Sequence, residues 1–235
     1  MTSSKETPAG AWTSRLPQCF TKKDLISRFH LTPIAAIGRI KRALKSKKLL
    51  LLKKGVYMAT TFYLQESDKT KLTEYIASQL YQPSYISLEY VLEKHHLLFP
   101  KDVNSAVTSL TTKTNRAFTN FSGTFAYSNI KPSIYFGYEK ATFHKDTYHI
   151  ATKAKALFDY LYLNSNLNYR NQKYLHHQLF NEQSIQWHNF SEDDFEQFET
   201  YVWKSNSKKM MTIREVIDRY FQGKKFDRWA KSILA

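Results

Sequence analysis

The chain has 235 residues, of which 42% are apolar and 15% aromatic, and a formal charge of +15. That is too apolar for a disordered chain, and it leaves room for one large or two modest domains. Residues 1–10 are polar, no apolar run approaches the roughly 18 residues of a membrane span, and the single cysteine, Cys19, suits a reducing compartment. The expectation is a cytoplasmic, globular protein with no membrane partner.

The charge is unevenly spread. Residues 1–60 hold 13 Lys and Arg against 2 acids, a net +11, whereas residues 61–235 hold 22 against 18, a net +4. A polyanion-binding module joined to a near-neutral body would have this asymmetry.

Thr21, with Asp24 three residues on, opens a short helix to about Phe29, with Lys22 and Lys23 in its first turn. Thr32-Pro33 starts a second helix, to about Lys47, Thr as cap and Pro in the first position. Spacing at 100° per residue places Ile37, Ile40 and Leu44 on its inward arc and Ala35, Arg39, Arg42 and Ser46 opposite, with Gly38 and Lys45 on a flank. Residues 49–52 and 56–60 read as two strands around a Lys53-Lys54-Gly55 turn. Helix, turn, basic helix and basic-tipped hairpin is the order of a winged helix-turn-helix. A solvated basic face and an anionic membrane surface are the competing readings; the second would need bulky apolar residues on the sunken face. The expected DNA-binding set is Lys22, Lys23, Ala35, Arg39, Arg42, Lys45, Ser46, Lys53 and Lys54, the arginines serving selectivity and the two hairpin lysines touching phosphate.

Beyond the hairpin, residues 67–80 and 84–98 have helical spacing. Residues 104–113, 119–130 and 133–143 read as strands in meander order, with Gly123 at a turn. Residues 149–163 return to helical spacing, and residues 190–203 form a helix capped by Ser191, followed by a helical, basic tail. The fold class expected is α+β: a winged helix-turn-helix over 1–62, a connecting helix over 63–82, and over 83–235 a mixed domain with a small antiparallel sheet and several helices. The body is expected to fold alone.

Four stretches, PSYISLEYVLEKHHLL, TSLTTKTNRAF, GTFAYSNIKPSIYFGYE and HIATKAKALFDYLYL, occur in the order found in AbiEi-type antitoxins, and FTKKDL through KKGVYM resembles their winged-helix domain. The resemblance spans roughly residues 18–163. Where the family tends to read IATPEKALLD, Lys153 and Ala154 replace the Pro and Glu. The resemblance implies a bacterial type IV toxin-antitoxin system of abortive infection and phage defence. Its antitoxin represses its own promoter, expected here as double-stranded DNA with inverted repeats, and opposes a nucleotidyltransferase toxin. Lys113, Arg116 and Lys131 are the expected antitoxin residues.

No catalytic residue, metal ligand or cofactor is expected. Glu192-Asp193-Asp194 matches a helix N-terminus, the pairs His95-His96 and His176-His177 point to different helix faces, and Glu139-Lys140 lacks the spacer of a nuclease motif. With only six glycines, no phosphate-binding loop is present. The alternative is a basic RNA-binding or nuclease-like enzyme using Lys113, Arg116, Lys131 and Tyr127 on the sheet surface.

Overall fold

The computed structural model describes residues 12–100 and 106–233, with side chains to residue 223. Its N-terminal part runs β1 (Cys19–Thr21), α1 (Lys22–Phe29), α2 (Pro33–Lys45), β2 (Leu49–Lys53), β3 (Val56–Ala59). Thr21 and Asp24 cap α1 reciprocally, the hydroxyl accepting from the Asp24 amide and the carboxylate accepting from the Thr21 amide at 2.7 Å. His30, in the left-handed conformation at φ 51°, ends α1, and the Thr32 hydroxyl accepts from the Ala35 amide to start α2. The three strands form an antiparallel sheet in the order β1-β3-β2. Gly55, at φ 87°, makes the tight turn between β2 and β3.

Two apolar clusters meet at this sheet. Trp12, Phe20, Leu25, Ala36, Ile40, Ala43 and Leu49 pack between it and the two helices. Cys19, Leu52 and Met58 instead join the core of the body. Asn120 ties the junction by donating to the Leu52 carbonyl at 3.0 Å.

After α3 (Thr60–Gln65) and α4 (Lys69–Leu80), the body continues with β4 (Ser84–Ile86), α5 (Leu88–Lys94), β5 (Val107–Thr111), β6 (Arg116–Asn120), β7 (Gly123–Asn129), β8 (Tyr138–Phe143) and β9 (Asp146–Ala151). Their six-stranded sheet has the order β6-β7-β5-β4-β9-β8, with β4/β9 and β5/β7 parallel. The fold is thus mixed helix and strand, as expected, but the meander of a small antiparallel sheet is corrected to a mixed sheet with crossovers. The expected helix over 84–98 is also corrected. Its first three residues pair with β5 and β9, and the helix begins only at Leu88. Residues 149–151 likewise belong to β9, and α6 (Lys153–Leu163) starts after them. Residues 104 and 105 of the first expected strand lie outside the described residues.

Alternation along the strands sets the two faces of the large sheet. Tyr127 and Tyr148 send their hydroxyls to Ala77 and Glu74 of α4, whereas Tyr85 sends its own to Asp159 of α6. The sheet is therefore layered between α4 and α6. α4 is buried along most of its length, including Leu72, Glu74, Tyr75, Ile76, Ala77 and Leu80. The segment expected as a connector is a core helix of the body. Next come α7 (Gln172–His177), a π-helical turn over Gln178–Glu182, α8 (Glu192–Ser205) and α9 (Lys208–Ile233), with α8 packed on α6 and α9.

Candidate nucleic-acid interface and the buried polar centre

The outward face of α2 is set by which residues go inward. Ala36, Ile40 and Ala43 are buried, a spacing of four and three residues that defines one stripe. Ile37 is 40% exposed and Leu44 only half-buried, so the inward arc is turned by roughly 65° from that expected at 100° per residue. The reason is packing distance. α1 packs on α2, and the small side chains of Ala36 and Ala43 share the buried cluster with Leu25 of α1, an arrangement that lets two helices approach closely.

This rotation reassigns the cations. Lys41, Arg42 and Lys45 are exposed around the outward pole of α2, with Gly38 between them and Ile34. Lys41 was not among the expected residues because the displaced arc put it beside the core. Arg39 moves the other way: its guanidinium carbon lies 5.3 Å from the Trp12 ring centre and 5.4 Å from that of Phe29. Ala35 and Ser46 are exposed at the two ends of α2, the Ser46 hydroxyl donating to the Ala43 carbonyl at 3.3 Å. Lys22 and Lys23 are exposed at the start of α1. Among the described residues, the ion pairs leave Lys41, Arg42 and Lys45 unmatched. Asp24 is the single acid of residues 12–60, and its carboxylate is taken up by the α1 cap.

The hairpin lysines differ. Lys54 is exposed at the turn. Lys53 folds back, donates to the Leu80 carbonyl at the end of α4, and sits over Phe118 with its nitrogen 5.3 Å from the ring centre. Burial, and then the neighbouring Lys113, push its ammonium below the usual lysine range.

Two of the expected antitoxin residues, Lys113 and Arg116, adjoin Tyr81, the Lys113 nitrogen lying 5.7 Å from the centre of its ring. Lys113 donates to the Gln82 carbonyl at 2.6 Å and, with Lys53, satisfies acceptors at the end of α4. Arg116 is exposed on edge strand β6, and Lys131 is exposed just before Pro132. Tyr127, expected on the sheet surface, is turned into the core, where its hydroxyl donates to the Ala77 carbonyl. That removes it from the surface set of the enzyme alternative.

Charge is instead buried beneath the sheet. Lys155 and Asp159, both fully buried, meet at 2.6 Å one helical turn apart. Asp159 also accepts from Ser87 at 2.8 Å and Tyr85 at 3.0 Å, and Lys155 donates to the Ile134 carbonyl at 3.1 Å. Rings of Tyr85, Phe136, Phe158 and Tyr201 surround the ammonium. Burial raises Asp159 to about 6 against the pull of Lys155, and lowers Lys155. Gly137, at φ 77°, must lack a side chain here, since a Cβ would stand 2.8 Å from Tyr201 and 3.0 Å from Lys155. The signal was present in the sequence as a Lys and an Asp four apart in an apolar helix.

A second buried carboxylate, Glu74, accepts from Lys94 at 2.6 Å, Tyr90 at 3.0 Å and Tyr148. Both carboxylates are buried and satisfied by hydrogen bonds, the first from a buried lysine and the second from one that reaches in from the surface, which suits a structural role. The acids at the start of α8 are also engaged. Asp194 closes a capping box with Ser191 and pairs with Lys153 at 2.5 Å. Among the described residues, no group of three or more His, Cys, Asp and Glu could hold a metal ion, and no helix is long and apolar enough to cross a membrane. Compared with known proteins, the chain matches no family model and no curated protein.

Proposed function

We propose that the chain binds double-stranded DNA through α2 and the hairpin, as a winged helix-turn-helix. The observation that carries this is the outward pole of α2: Lys41, Arg42 and Lys45, exposed and with no acid partner among the described residues, on a 13-residue helix with small residues at its N-terminal half. A helix so placed fits a major groove, and unpaired cations replace the counterions of a phosphate backbone. The β1-β3-β2 sheet beside α1 and α2, with Lys54 at the hairpin tip, supports the same reading.

The order of motifs resembling AbiEi-type antitoxins supports the wider proposal. In it the bound DNA is the chain's own promoter and the body opposes a nucleotidyltransferase toxin, directly or indirectly, without catalysis by this chain. The test is retardation of the duplex upstream of its own reading frame by the full chain in a chelating buffer. Retardation without cleavage, lost on joint replacement of Lys41, Arg42 and Lys45 by Ala, is expected. A triple variant that binds as tightly as the original would overturn the assignment to α2. The antitoxin part is tested by co-expression with a nucleotidyltransferase encoded beside the chain. Growth rescue is expected, and growth as poor as with the toxin alone would overturn it.

A further inference from the structure

On the same face of α2, two isoleucines stand in water. Ile34 is 84% exposed and Ile37 40%. One apolar residue at a surface is ordinary. Here, though, Ile34, Ile37, Lys41 and Lys45 follow a spacing of three, four and four residues, so apolar and cationic side chains share one strip. The isoleucines occupy its N-terminal half, the part of a recognition helix that meets base edges.

We infer that Ile34 and Ile37 read thymine methyl groups in the major groove, giving the protein selectivity for sites with thymine opposite the start of α2. This rests on the DNA reading above. The surroundings choose the occupant. A second copy of the chain laid on this strip would set Lys41, Arg42 and Lys45 against their own kind, with no exposed acid among the described residues 12–60 to match them. A membrane-seated helix would carry its apolar residues along its whole length, whereas here the C-terminal half of the strip is basic. An RNA duplex has a major groove too narrow for a helix and lacks the methyl group on uracil. In the DNA major groove the thymine methyl is the one apolar group on a base edge, lying between the phosphate rows that the lysines would reach.

The test begins with selection of duplexes from a random library by the full chain. The enriched duplex is then resynthesised with uracil for thymine. Removing each contacted methyl should weaken binding about fourfold, the burial of one methyl group. Ile34→Ala should bind the thymine duplex more weakly and lose the share of the discrimination that Ile34 supplies, leaving that of Ile37. Equal binding of thymine and uracil duplexes by the original chain would overturn the inference while leaving the DNA reading intact, as would undiminished discrimination by Ile34→Ala. No enriched duplex would overturn the DNA reading itself. Weaker sedimentation of Ile34→Ala with phosphatidylglycerol vesicles, with duplex selection unchanged, would assign the strip to a membrane and also overturn the inference.

Discussion

Arg39 is folded against Trp12, so the arginine nearest the middle of α2 joins the residues before β1 to that helix instead of extending from the exposed face. The contact with Trp12 and Phe29 places its charge over two rings at 5.3 and 5.4 Å. Arg39→Ala should lower stability by about 1 kcal/mol through lost cation–π and packing contacts, and should weaken all duplexes alike. Arg42→Ala should leave the thermal transition in place and weaken binding. Melting curves beside DNA titrations check both, and selectivity lost only in Arg39→Ala would refute this division.

Lys53 and Lys54 are adjacent but face different partners. Lys54→Ala should reduce the slope of binding against salt by about one unit, because one phosphate contact is removed. Lys53→Ala should change that slope little, and it should destabilise the chain by leaving the Leu80 carbonyl with one donor fewer. Titrations at several salt concentrations, with urea unfolding, separate the two effects.

The sequence was most legible where local chemistry decides. Thr21 with Asp24 and Thr32 with Pro33 marked the starts of α1 and α2 because caps act within three residues. The buried arc of α2 was misread because Ile37 and Leu44 outweigh Ala36 and Ala43 in hydrophobicity, while the approach of α1 selects for size. The strand at 84–86 was hidden inside a helical spacing, since its identity comes from β5 and β9, distant in sequence. Parallel pairing of β5 with β7 is set by the crossover and leaves no short-range mark. The same limit applies to Lys53, whose acceptor lies 27 residues away.

The Lys155–Asp159 pair should dominate single-site losses in the body. Asp159→Asn removes the partner of a fully buried ammonium, and a loss of about 3–5 kcal/mol is expected in urea unfolding. Replacing both, as Lys155→Met with Asp159→Leu, should cost less than Asp159→Asn alone. The pH dependence has a definite sign. Asp159 has its carboxyl raised to about 6 in the folded chain, so between its ordinary value and about 6 the folded state keeps a proton that the unfolded state releases. Its contribution therefore favours folding at low pH and falls as pH rises through that window. The difference between the original chain and Asp159→Asn, followed from pH 4 to 7, isolates it; a contribution that grows with pH would mean that the pull of Lys155 outweighs the burial of the carboxyl.

The last expectation concerns whether the basic module and the body unfold as one. Met58 is on β3 of the N-terminal sheet, yet it is fully buried in the same cluster as Leu72, Tyr75 and Leu80 of α4. Cys19 and Leu52 accompany it, and burial drives the Cys19 thiol far above its usual range. Met58→Ala should therefore destabilise by about 2–5 kcal/mol and move one shared transition, not a transition of the N-terminal module alone. The tryptophans distinguish these outcomes. Trp12 reports the module, while Trp187 and Trp203 belong to the body. Trp229, on α9, is a fourth tryptophan, so urea curves for Trp12→Phe and for the triple variant Trp187→Phe, Trp203→Phe and Trp229→Phe should coincide and shift together when Met58→Ala is added. The fragment 64–235, deprived of Cys19, Leu52 and Met58, should accordingly melt well below the full chain. If the Trp12 signal moves alone and the fragment melts with the full chain, the junction is a docked surface and the two parts fold independently.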